Sequence, residues 1–126
     1  MGRTNKDAFA PSKEEVEQFS MLYPMIIADL GELRNLSNKK QDGLLNKLKV
    51  SVVNKKLEKI KQILSNEPTT EFLDILDSDS LPSNSDAVLI ILQFKSAMDQ
   101  FRDKYYTIDN EEDRYEIDAE WSWKTR

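Results

Sequence analysis

Between Asp86 and Tyr106 apolar side chains return every three or four residues, and this spacing constrains the chain more than any other feature. At about 100° of rotation per residue, Ala87, Ile90, Ile91, Phe94, Met98, Phe101 and Tyr105 fall on one stripe about four turns long. Val88, Leu89 and Leu92 lie on the other side of its first turns. A helix that is apolar all round is surrounded by protein. Ala87–Phe94 is therefore expected at the centre of a bundle, and the rest of the chain has to cover it.

Two other long helical patterns can do so. Ser12 is an expected N-cap, with Glu15 completing a capping box. Val16, Phe19, Leu22, Tyr23, Ile26, Ile27, Leu30 and Leu33 then share one stripe. Pro24 interrupts it and is expected to bend or split the helix, since its ring removes a backbone donor and crowds the preceding turn. The second pattern runs from about Leu44 to Leu64 and is double. Leu44, Leu45, Leu48 and Val52 share one face, while Val53, Leu57, Ile60 and Leu64 share another, turned by about 100°. An inserted residue, a bend or two different partners would account for the shift. Thr69–Leu76 reads as a short amphipathic helix. The expected fold is all-α: a compact bundle of three long helices and one short one over residues 12–106. A flexible N-terminus (1–11) precedes it, and an acidic aromatic tail (107–126) follows.

Missing residue types exclude most familiar chemistry. The 126 residues include no Cys and no His, so there is no thiolate, imidazole shuttle, Ser-His-Asp triad or Cys/His metal cage. Three glycines leave no phosphate-cradling loop. No cofactor is expected, and no metal. Asp109–Glu120 has oxygen ligands at EF-hand-like spacing, but Arg114 stands where the sharp turn needs Gly. The longest apolar run, Ala87–Leu92, is six residues, against roughly 20 for a membrane span. With no hydrophobic stretch behind the opening charges, the expectation is a cytoplasmic protein with no membrane partner.

Charge is uneven. Residues 38–64 carry eight Lys against Asp42 and Glu58, a net of +6, whereas residues 65–126 carry six basic and fifteen acidic groups, a net of −9. Lys47, Lys55, Lys59 and Lys61 are read first as a solvated outer face of the second helix. As the alternative they are a phosphate-neutralising surface for nucleic acid. Against that alternative, the helix has no Arg to read guanine and no aromatic to stack on bases.

In the tail, Tyr115, Ile117, Ala119, Trp121 and Trp123 alternate with Glu116, Asp118, Glu120 and Ser122. That period suits an extended segment laying one face on an apolar groove with basic edges. Tyr115, Ile117, Trp121 and Trp123 are the candidate partner-binding residues, and the Trp pair is expected to contact the Lys-rich helix or another chain. Surplus apolar side chains on the first two helices, Met21 and Met25 among them, point to a homodimer.

An enzyme built from carboxylates would need Asp29, Glu32, Asp99 or Asp103 gathered in a pocket, and helical phase turns most of these outward. The function expected is accordingly non-enzymatic. It is that of a protein-binding module acting as a complex subunit, an inhibitor or an immunity- or antitoxin-type neutraliser.

Overall fold

The computed structural model describes residues 9–108, 112, 114–116 and 119–126. Three helices follow in order, α1 (Lys13–Lys39), α2 (Lys47–Ile63) and α3 (Asn84–Tyr105), then two short strands, β1 (Tyr106–Ile108) and β2 (Trp121–Trp123). α1 lies between the other two helices, packing most extensively on α3.

The start of α1 follows the sequence rule. Ser12 accepts from the Glu15 amide at 3.1 Å, and Glu15 accepts from the Ser12 amide at 2.9 Å. Phe19, Leu22, Ile26, Leu30 and Leu33 are buried, while Ile27 turns outward. Pro24 does not split the helix, which runs unbroken from Lys13 to Lys39. The ring sits on the exposed face, where water can serve the carbonyl left without a donor.

The double pattern of the second segment resolves at its N-terminus. Helix α2 begins only at Lys47, with Asn46 as N-cap, so Leu44 and Leu45 precede it. Leu45 is buried and its amide donates to the Pro82 carbonyl at 2.9 Å. Val50, Val53, Leu57, Ile60 and Ile63 form the inward face of α2, and Leu44, Leu48 and Val52 are left outside.

The turn between α1 and α2 is fastened to the start of α3. The Asn84 amide side chain donates to the Lys40 carbonyl at 2.9 Å, satisfying an end group of α1. The backbone amide of Asn84 donates to the Gly43 carbonyl at 2.7 Å. A Cβ on Gly43 would stand 3.0 Å from Asn84 Nδ2, a tight contact that would make the Asn84 side chain give by a few tenths of an ångström.

Three expectations are corrected. The fold is a helical bundle but not strictly all-α, because β1 and β2 pair antiparallel, Tyr106 opposite Trp123 and Ile108 opposite Trp121. The short helix is a 3-10 turn, Pro68–Phe72, followed by extended chain. The cause is Asn54 of α2, whose side chain donates to the Leu76 carbonyl at 2.8 Å and accepts from the Leu76 amide at 2.9 Å. Those two bonds replace what a helix would have supplied, and Leu73 and Leu76 still reach the core. Finally, α3 is not enclosed. Ala87, Ile91, Phe94, Met98 and Phe101 are buried, but Leu89 is 57% exposed and Val88, Ile90 and Leu92 are only half-buried.

Packing begins ahead of Ser12, with Ala10 and Pro11 buried. The other end of the chain meets it there. The Arg126 amide donates to the Pro11 carbonyl at 3.0 Å, and its guanidinium lies 3.1 Å from Glu15 Oε1.

Candidate functional site

Three of the four tail residues, Tyr115, Trp121 and Trp123, lie among the described residues. Trp123 is half-buried in the protein's own aromatic cluster. Its ring centroid is 5.2 Å from Phe19, 6.0 Å from Phe101 and 5.6 Å from Tyr106. Trp121 stacks on Tyr106 at 6.0 Å and stays 39% exposed, Tyr115 is 93% exposed, and Ile117 lies outside the described residues. The apolar surface receiving Trp123 therefore belongs to α1 and α3, and not to the Lys-rich helix. Phe19 and Phe101, 5.4 Å apart, outcompete a lysine edge because edge-on aromatic packing requires aromatic neighbours.

Beside Trp121 an open cavity of about 480 Å³ is lined by Asp99, Arg102, Asp103 and Tyr106. Arg102 lies over the Tyr106 ring at 5.5 Å, and Arg114 over Trp121 at 5.4 Å. At its inner edge the Tyr23 hydroxyl donates to Asp99 Oδ1 at 2.6 Å, and Lys95 Nζ donates to Oδ2 at 2.8 Å. Helical phase turned Asp99 away from the core stripe but could not show that it meets Tyr23 across the α1–α3 seam.

This triad titrates in a defined sense. Burial pushes the Asp99 carboxyl up, but hydrogen bonds from Lys95 and Tyr23, with the Lys95 and Arg102 charges, more than offset it and hold it below its ordinary 3.8. The bond to Asp99, helped by burial, raises the Tyr23 phenol above 10.0. The bond to Asp99 also raises the Lys95 ammonium above 10.5.

A depressed carboxyl contributes stability that is present above its unfolded pKa and is lost as pH falls through the folded one. The raised phenol and ammonium act oppositely, their share lost as pH rises through their folded values. Asp99→Asn should therefore be slightly less stable than the parent at neutral pH, and the gap should narrow in acid as the pH falls below the ordinary carboxyl range. Urea midpoints at neutral and acid pH check this, and a gap that persists unchanged in acid would show that the charge is not responsible.

Of the carboxylates named for an enzyme, Asp99 and Asp103 line the open cavity beside Trp121, and Asp29 and Glu32 lie elsewhere. Asp29 pairs with Lys56 at 2.8 Å across the α1–α2 seam, whereas Asp99 belongs to the α1–α3 seam. Glu32 and Asp103 are exposed. Among the described residues no group of three or more Asp or Glu is placed to hold a metal ion.

The lysines divide. Lys47 and Lys55 line an open groove of about 450 Å³ with Ser51, Asn54, Glu58, Ser78 and Asp79. Lys59 is exposed, and Lys61 is half-buried on another flank of the helix. Among the described residues none of these four ends within an ion pair, in contrast to Lys56.

Two outward faces are apolar. On α1, Ser20, Met21, Pro24, Met25, Ala28 and Gly31 fall within an arc of about 140°, all exposed and uncharged, with the exposed Glu17 and Glu32 bounding the stretch on the same face. On α2, Leu48 and Val52 stand one turn apart, 72% and 46% exposed.

No protein-family model, curated protein or solved structure matches this chain. Among the described residues, no helix is long and apolar enough to cross a membrane.

Proposed function

We propose that this is a small non-enzymatic protein-binding module of the cytoplasm, acting as a complex subunit, an inhibitor or an immunity- or antitoxin-type neutraliser. The supporting observation is the outward face of α1. In a chain that is 33% charged, six exposed positions in succession on that face carry no charge. Met21 is 59% exposed, Met25 41% and the neighbouring Ile27 36%. Single exposed apolar residues are ordinary, but a contiguous patch of them marks an interaction surface. Methionine fits that use because its flexible thioether adapts to a partner's shape. Pro24, Ala28 and Gly31 keep the ridge low, so another backbone can come close.

Immobilised full-length chain should retain a specific protein that the Met21→Glu/Met25→Glu variant loses. Both positions are exposed, so the substitutions should change stability by no more than about 0.5 kcal/mol. Equal retention by parent and variant would count against this face. A second copy is the competing occupant, because Met21 and Met25 could cover their own counterparts across a two-fold axis. Sedimentation separates the two: a sharp 14.7 kDa species at micromolar concentration argues against the homodimer.

A further inference from the structure

The exposed row on α2 combines two chemistries in a fixed order. Leu48, Val52, Lys55 and Lys59 lie within an arc of about 60° at about 100° per residue, spaced like the seam of a coiled coil. All four are exposed. The first two are apolar, the last two are basic, and Lys47 stands beside them in the groove that Lys55 also lines. Among the described residues nothing covers this row. The inward face of α2 is complete without it, and Lys56, on the side facing α1, is already paired with Asp29.

We infer that this row is the docking surface for an acidic amphipathic helix of a partner protein. This rests on the protein-binding reading above and specifies its partner. The apolar stripe of such a helix would cover Leu48 and Val52. Its flanking carboxylates would meet Lys47, Lys55 and Lys59, which make no ion pair among the described residues.

Charge separates the possible occupants. A second copy would bring its own α2 row against this one and set lysine against lysine within a segment of net charge +6. The described end of the chain's own tail is committed elsewhere, since Trp123 is seated on Phe19 and Phe101 and Arg126 is held at Pro11 and Glu15. Nucleic acid would gain the lysines but would have to desolvate beside Leu48 and Val52, with no arginine or aromatic in the row.

The probe is a labelled, capped peptide of about 20 residues with leucine along one helical stripe and glutamate on both flanks. A second peptide has lysine flanks on the same stripe. Fluorescence anisotropy with the full chain should show saturable binding of the acidic peptide only, weakening as salt rises from about 50 to 500 mM. Leu48→Glu should weaken it by roughly tenfold or more, and Lys55→Glu/Lys59→Glu comparably. The Leu48→Glu protein should melt like the parent, because the side chain it replaces is already 72% exposed.

Absence of binding up to about 1 mM overturns the inference, as does binding that Leu48→Glu leaves unchanged. So does tighter, lysine-dependent binding of a single-stranded oligonucleotide. Loss of peptide binding in Met21→Glu/Met25→Glu but not in Leu48→Glu overturns the α2 assignment alone and leaves the protein-binding reading standing.

Discussion

Phe94→Ala should lower the melting temperature by about 10–20 °C and leave the protein partly unfolded at physiological temperature. Phe94 is fully buried at the middle of α3, between Ile91 and Met98 on the inward stripe. Removing a buried phenyl ring forfeits its transfer free energy and leaves a cavity that packed neighbours close only in part. Such losses cost about 3–5 kcal/mol. A domain of this size has about 5–15 kcal/mol in all, so one substitution removes a large share. Urea unfolding followed by helical circular dichroism should show the midpoint falling steeply with its slope unchanged, since the surface exposed on unfolding stays almost the same. A midpoint close to the parent's would mean that Phe94 is not part of the packed core.

How much of this was legible in the sequence depends on how local each interaction is. The capping box at Ser12 and Glu15 spans three residues and was readable outright, as were the inward stripes of α1 and α3. The twin stripes of the second segment carried real information too, but its cause needed the structure. One row is core, and Leu48 and Val52 of the other remain outside, where they become the candidate docking surface.

What periodicity could not show were bonds between distant residues. Asn54 meets Leu76 across 22 positions and turns an amphipathic pattern into extended chain. Tyr23 meets Asp99 across 76 positions, placing a carboxylate at a helix seam that phase alone would leave in water. Trp121–Trp123 forms a strand, but alternation says nothing about which surface receives it.

Trp123→Ala should release that segment while leaving the three helices formed. β2 is only three residues long, and its pairing with β1 supplies few hydrogen bonds. Ordering each residue costs roughly 1–2 kcal/mol of backbone entropy, so a strand this short cannot hold itself in place. The offset comes from Trp123, whose indole sits edge-on to Phe19 and also packs beside Phe101 and Tyr106. Just beyond it, the Lys124 amide donates to the Tyr105 carbonyl at 2.7 Å. Removing the ring should cost about 2–4 kcal/mol, somewhat below a fully buried tryptophan.

Two measurements check the release. Amide exchange across Trp121–Arg126 should rise to unprotected rates while the centres of the helices stay protected. In Trp121→Phe, where Trp123 is the remaining tryptophan, emission should be blue-shifted, as expected for an indole packed among aromatic rings. Trp121→Ala is the internal control: its ring is 39% exposed and touches the periphery at Tyr106, so its loss should cost much less and leave the tail in place. Equal, small effects from the two alanine variants would show that the tail is not anchored on the bundle. Trp123 would then be free to serve a partner.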